Sequence, residues 1–287
     1  MVEKVVVRRA RPDDREAVLS FCERTWQWGD YIGDVWEQWV SEPSGALLVA
    51  VVGDQAAGVG KVTMLSRAEA WLEGLRVNPD FRGLGVAQEL WHAAETVARK
   101  RWARVIRFGT PSGNEAIHHL SERFGYQRVA RFIEYAAPAK EGRLPDHLLL
   151  EEADIAEGLL AELAGLASSG GLYDGGWHCQ ELRGGRLREH ILLGEAYAVH
   201  RGGRLAAVAL ISTQDPEQEL RIGFLGGVRA AVAELAQGLR AQAHTRDLSR
   251  TMVVIPALKS LEQALRTAGY ERAWEHEMWI YERRLKG

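Results

Sequence analysis

Arg82-Gly83-Leu84-Gly85-Val86-Ala87 is the stretch of this 287-residue chain whose residue types could hold an anion. Trp71–Val77 ahead of it is a short apolar run with β-branched and aromatic residues, which reads as a strand. Asn78-Pro79-Asp80 is turn chemistry, since Pro79 fixes φ while Asn78 and Asp80 can bond their own backbone. A helix is expected over Leu84–Arg101. The first N–H groups of a helix lack intrahelical acceptors, and the helix dipole places partial positive charge there. Gly83 and Gly85 carry no side chain to keep a phosphate away, and Arg82 adds a cation at the mouth. Gln88 stands where a dinucleotide fingerprint needs a third glycine, and no Gly-Lys-Ser or Gly-Lys-Thr follows, so neither of those phosphate motifs is present. On the Gly-x-Gly pair alone, an ordinary turn without a ligand remains the alternative.

Three other groups of residues have chemical potential. Glu73 lies within the apolar strand, where a carboxylate is costly to bury without purpose. Strand alternation places it on the face of Leu75 and Val77. Four of the ten tryptophans fall between positions 26 and 39, among Asp30, Tyr31 and Asp34. Trp36 and Trp39, three apart, read as core residues of a helix. Trp28, Asp30, Tyr31 and Asp34 could form an aromatic and acidic wall for a cationic amine, although each aspartate alone also reads as a solvated loop residue. Asn114 and Ser121 open and occupy a further short helix over Asn114–Arg123, which ends at Gly125.

Composition removes several classes of function. A net charge of −3 provides no basic field for nucleic acid. Two distant cysteines, Cys22 and Cys179, give neither a disulfide framework nor a metal pair, which fits a reducing cytoplasm. The segment Met1–Arg11 lacks a signal-peptide pattern, and no apolar run approaches the roughly 20 residues that cross a bilayer. In order, the chain predicts a strand at Lys4–Arg8, a helix over Arg15–Trp26, a hairpin of Ala46–Val52 and Ala57–Leu65, the Trp71–Val77 strand, the long helix, a strand at Val105–Gly109, the short helix, and a closing strand at Tyr126–Tyr135. Residues 138–145 read as a linker. The same order then returns, with a hairpin around Arg201-Gly202-Gly203 and with Gly269-Tyr270 answering Gly125-Tyr126 at an offset of 144. At that offset Arg82 falls on Gly226 and Gly85 on Arg229, so the second copy lacks the anion motif. Gly170–His178 reads as a long glycine-rich surface loop or a mobile lid.

The stretch Arg82–Ala87, following Val77-Asn78-Pro79, resembles motif A of the GNAT acetyltransferase superfamily, Gln/Arg-x-x-Gly-x-Gly/Ala after a strand ending in Val-x-Pro. The element order over residues 4–137 is similar to that family's. The resemblance implies an α/β (α+β) fold of two tandem GNAT-like domains, each a mixed, mostly antiparallel twisted sheet flanked by helices. Residues 1–137 would be the acetyl-CoA-binding catalytic domain and 146–287 a degenerate copy. It implies an acetyl-CoA-dependent N-acetyltransferase acting by direct attack of a primary amine in a ternary complex, without a metal. Arg82, Gly83, Leu84, Gly85, Val86 and Ala87 would bind the pyrophosphate. Leu75, Arg76 and Val77 would align the pantetheine arm, and Asn114 would add a contact. Glu73 would serve as base. The family's proton-donating tyrosine position holds Ser121 here, which leaves His118, His119 and Tyr126 as substitutes. Gly29-Asp30-Tyr31-Ile32 with Trp39 and Glu73–Val77 looks similar to the histidine N-acetyltransferase branch, which implies a small amine acceptor bound by Trp28, Asp30, Tyr31 and Asp34. A cytoplasmic monomer or homodimer, acting without nucleic acid or membrane, is the matching expectation. A catalytically silent acyl-CoA-binding module and a protein N-acetyltransferase are the competing readings.

Overall fold

The computed structural model describes residues 4–23, 29–162, 164–212 and 219–285. The chain divides into two compact units, Met1–Phe108 with Glu282–Gly287, and Gly109–Tyr281. Among the described residues no helix is long and apolar enough to cross a membrane.

The first unit opens with β1 (Val5–Arg9), α1 (Arg15–Cys22) and α2 (Ile32–Ser41). The antiparallel strands β2 (Ala46–Val52), β3 (Gln55–Met64) and β4 (Glu69–Val77) follow, then α3 (Val86–Lys100) and the start of β5 (Val105–Pro111). The predicted extension of α1 to Trp26 runs into residues 24–28, outside the described set. The apolar run of β2 is buried almost throughout, as a strand covered on both faces requires. One cover is α1 and α2, which pack Val18, Phe21, Ile32, Trp36 and Trp39 against Leu47, Val49 and Val59. The other is α3, which buries Val86, Leu90, Trp91, Ala94 and Ala98 along one stripe. A Cβ at Gly58 would lie 2.7 Å from Val86 and 3.1 Å from Leu90, so the missing side chain is what lets α3 approach β3.

The chain's last residues also belong to this unit. The Arg107 guanidinium, 3% exposed, meets Glu69 at 2.7 Å and Glu282 at 2.7 Å. Arg283 pairs with buried Glu95 at 2.7 Å, and the Leu285 N–H donates to the Arg104 carbonyl at 2.8 Å. Buried charges are tolerated because each has a partner.

The second unit contains α4 (Glu115–Arg123), β6 (Gln127–Pro138), β7 (Asp146–His147), α5 (Ala153–Glu162), α6 (Ala164–Ser168), β8 (Leu172–Asp174), β9 (Cys179–Glu181), α7 (Gly184–Leu192), β10 (Ala196–Arg201), β11 (Arg204–Ile211), β12 (Glu219–Gly227), α8 (Arg229–Thr245), β13 (Arg250–Pro256), α9 (Lys259–Thr267), β14 (Glu271–Arg272) and most of β15 (Met278–Arg284). Its sheet runs β15-β6-β13-β12-β11-β10-β7, with β14 paired to β6. Neighbours are antiparallel at β6/β13, β11/β12 and β10/β11 and parallel at β12/β13. Helices α8 and α9 cover one face through Val232, Leu235, Leu239, Leu261 and Leu265.

The compact units do not coincide with the sequence copies 1–137 and 146–287. The strand closing the first copy, β6, pairs with β13 from Phe132↔Pro256 to Pro138↔Arg250 inside the second unit. The last residues of the second copy complete the first unit. Residues 138–145 are not a loose tether: Lys140 N–H donates to Arg240, and Pro145 packs within 3.2 Å of the Cβ position of Gly238. The glycine-rich 170–178 stretch is also more regular than expected. It folds into the β8/β9 hairpin, with Leu172 and Tyr173 buried.

Expressed alone, residues 1–145 or 146–287 therefore lack elements of the units they seed. Each fragment should show no cooperative melt by circular dichroism, whereas the two co-expressed fragments should co-purify and melt as one species. Cooperative unfolding of either fragment by itself would contradict this exchange.

Candidate active site

The turn after β4 has the form an anion needs. The Asn78 side chain accepts from the Asp80 N–H at 3.1 Å and starts a short turn over Pro79–Phe81. Gly83 and Gly85 then take φ of +79° and +80°, the left-handed region that disfavours side chains. Gly85 caps α3, whose first N–H groups face outward from this turn. A Cβ at Gly83 or Gly85 would meet nothing within 4 Å, so the backbone here is open to a ligand. Arg82 and Leu84 are exposed, while Val86 is buried and can offer only its backbone. The six motif residues are thus brought together, on a helix that starts at Val86 rather than Leu84.

Strand β4 has two irregularities. Its parallel ladder with β5 runs only from Glu69↔Val105 to Trp71↔Arg107, and β4 continues past it to Val77. Its antiparallel register with β3 shifts between Lys61↔Glu73 and Val59↔Arg76, so β4 carries one extra residue there. The bulge sits at Gly74, with φ +64°, against the Trp39 ring, which a Cβ would approach to 2.6 Å. It breaks the strand's alternation. Glu73 and Arg76 both face the α1/α2 side with Lys61 and Val59, and Leu75 faces the other way beside Gly60. The expectation that Glu73 shares a face with Leu75 and Val77 is therefore corrected, because simple alternation fails at a bulge.

On the α1/α2 side the charges are paired in sequence. Asp30 holds Arg76 at 2.6 Å and accepts the Ile32 N–H at 3.0 Å, so it starts α2 and neutralises Arg76. Arg76 also lies 5.5 Å from the Tyr31 ring centroid, and Tyr31 meets Trp39 edge-on at 6.0 Å. Loss of hydration pushes the Tyr31 phenol up, opposed by Arg76 and reinforced by the charges of Glu73 and Asp30. Asp34 is exposed in the first turn of α2. Trp28 lies outside the described residues. Lys61 is bonded to Glu42 and donates to Thr63 at 2.8 Å, and Thr63 donates to Glu73 at 2.5 Å. Asp30, Glu42 and Glu73 thus bring three carboxylates to this side, among which Lys61 and Arg76 are held. Sequence reasoning passed over Lys61 and Thr63. The signal was available, since a lone lysine in the apolar Gly58–Met64 run mirrors the lone glutamate in β4.

Nearby on α1, burial pushes the Cys22 thiol up to about 12, with Asp30 adding to the shift. A thiol held protonated is no nucleophile.

In the second unit, Asn114 precedes α4 and donates to the Thr110 hydroxyl at 3.2 Å. Ser121 is fully buried and donates its only proton to the Ile117 carbonyl at 2.5 Å. That bond belongs to its own helix. His118 lies between Tyr281 and the Ser112 carbonyl, at 3.0 and 3.1 Å, and burial pushes the Tyr281 phenol up. Tyr126 is buried and His119 exposed.

Among the described residues the second unit has no counterpart of this double-glycine turn. Eight residues, 78–85, separate β4 from α3, whereas Val228 alone separates β12 from α8. Gly227 is a packing glycine there, its Cβ position 2.3 Å from the Ala206 carbonyl. Counted along the strands, Gly223 of β12 stands where Glu73 stands in β4. The Asp174 carbonyl lies 1.7 Å from its Cβ position, so strand β8 closes that face. Asp174 also holds Arg221 at 2.6 Å, with Glu134 at 3.3 Å and the Trp177 ring 4.2 Å above the guanidinium.

Residues 15–126 match the model of the acetyltransferase (GNAT) family. Mycothiol acetyltransferase of Propionibacterium freudenreichii is 32% identical over 111 residues, 37% of this chain and 35% of that protein, so the match spans about a third of the relative. A GCN5-related N-acetyltransferase from Sphaerobacter thermophilus aligns over 99% of this chain and 96% of its own at 15% identity, with a TM-score of 0.66. A tandem GNAT protein from the clavulanic acid biosynthesis pathway aligns over 99% of both chains at 15% identity, with a TM-score of 0.54. The two structures speak for the fold alone, including its tandem form. The match to the acetyltransferase (GNAT) family thus covers residues 15–126, and the fold of the whole chain is similar to that of tandem GNAT proteins.

Proposed function

We propose that the chain transfers an acetyl group from acetyl-CoA to the primary amine of a small molecule, an amino acid or a related amine. The observation that carries this reading is the open double-glycine turn at the N-terminus of α3, set on a strand that runs past its parallel ladder. The turn's N–H groups and Arg82 suit a pyrophosphate. The stretch Leu75–Val77, beyond the β5 ladder, suits an extended pantetheine arm laid alongside it as a further strand would be. Acetyl-CoA supplies the activated thioester.

The chain's residues fill the other roles. Glu73 takes the proton that the acceptor ammonium must lose before its nitrogen can attack. The Glu73 carboxylate suits a cationic acceptor, and Tyr31 and Trp39 supply aromatic surface beside it. Asp30 orients Arg76 and starts α2 rather than holding the amine itself. Ser121 has no part, given its bond to Ile117. The similarity of Asp30-Tyr31 and Glu73–Val77 to the histidine N-acetyltransferase branch supports a small acceptor. The second unit, without an anion turn, completes the fold and binds no acetyl-CoA.

Thiol release from acetyl-CoA against free amino acids, polyamines and aminoglycosides tests the proposal. Release with one acceptor would name the substrate class. Acetyl-CoA binding by calorimetry without any release would overturn the transferase reading and leave a binding module. Arg82→Glu sets a carboxylate against the pyrophosphate and should weaken acetyl-CoA binding at least about ten-fold, measured by the same calorimetry. Unchanged affinity would remove the turn from the site. Glu73→Gln should lower kcat by roughly a hundred-fold or more with little change in KM for acetyl-CoA.

A further inference from the structure

Lys61 is the least expected side chain in the first unit. It is wholly inaccessible, and an ammonium is costly to bury without partners. Its partners surround it: the Glu42 carboxylate, the Thr63 hydroxyl at 2.8 Å, the Val62 carbonyl at 3.3 Å and the Trp39 ring centroid at 5.9 Å. Gly45 makes the space. A Cβ there would lie 2.7 Å from Lys61 Nζ and 3.0 Å from Glu42 Oε1. Burial raises the Glu42 carboxyl, but hydrogen bonds from Lys61 and Ser44 outweigh it and hold the group below its ordinary value. Lys61 and Glu42 are therefore a fixed ion pair.

Its consequence falls on Thr63. An ammonium has donors and no acceptor, so the Thr63 oxygen must accept from Lys61. The single Thr63 proton then points to Glu73 Oε1. The β3/β4 register sets Lys61 directly opposite Glu73, where a direct cross-strand ion pair would be the usual result. Such a pair would make the carboxylate a poorer proton acceptor. Here Glu42 takes the ammonium, and a hydroxyl stands between Lys61 and Glu73.

We infer that Lys61 and Thr63 are positioning residues for Glu73: the Lys61–Thr63–Glu73 chain fixes the direction in which the carboxylate faces, and Glu42 keeps the Lys61 charge from pairing with it. This role rests on the reading of Glu73 as the base. Both act through Glu73.

Two readouts test the chain on the full-length protein. Carbon-13 labelling of the glutamate carboxyls, with the Glu73 resonance identified by its loss in Glu73→Gln, needs no acceptor. Thr63→Val and Lys61→Met should both move that resonance, Thr63→Ser should restore it, and Lys61→Met should add nothing in a Thr63→Val background. An unmoved resonance in Thr63→Val, or an equal effect of Lys61→Met with and without Thr63, would overturn the chain. Should Lys61→Met fail to fold, the two Thr63 variants still decide. With the best acceptor from the panel, Thr63→Val should lose roughly ten-fold in kcat at constant KM for acetyl-CoA and nothing further in a Glu73→Gln background. Full activity of Glu73→Gln alone would reject the base while leaving the hydrogen-bond chain to the carbon-13 result.

Discussion

The first unit depends on one extra residue in β4. A regular strand would send Glu73 and Arg76 to opposite faces. The left-handed turn at Gly74 puts both on the α1/α2 side, and only a residue without a Cβ fits there beneath the Trp39 ring. Much else is tied to that geometry. Arg76 reaches Asp30, which starts α2, and α2 carries Trp39 back onto the bulge. The loop closes on itself, so the helix, the ion pair and the bulge specify one another.

The phosphate-type turn was legible in the sequence because its physics is local. Two glycines, a proline and a helix start lie within a dozen residues, and the backbone conformations follow from residue type. The apolar runs of β2, β3 and β12 were legible for the same reason. Glu73 was noticed as a charge in an apolar strand, but its face was not readable, since a bulge depends on pairing with β3. Asp30 was read as a ligand for an amine, and its pairing with Arg76, 46 positions away, could not be read from spacing. Ser121 was assigned by motif position, and its bond to Ile117 depends on how deeply α4 is buried. Strand exchange was invisible in principle. The sequence orders β6 and β15 correctly and says nothing about which sheet accepts them.

The two halves show how a repeated fold diverges. The first keeps an eight-residue turn, an open glycine pair and a carboxylate on its fourth strand. The second has shortened the turn to one residue and replaced the carboxylate with Gly223, over which β8 lies. Both changes remove space, and both are filled by the chain's own backbone. The second half is packed more tightly at both positions, with no void left in the sheet that β6 joins.

The late arrival of residues 282–285 has a bearing on synthesis. Arg107 and Glu282 are 175 positions apart, and Glu95 and Arg283 are 188 apart. At the usual pace of elongation, roughly 5–20 residues per second, Arg107 leaves the ribosome on the order of ten to thirty seconds before its partner. Through that interval the nascent first half holds Arg107 against Glu69, while the contacts of Arg107 with Glu282 and of Glu95 with Arg283 have yet to form. Whatever delays synthesis of the second half therefore delays completion of the first unit.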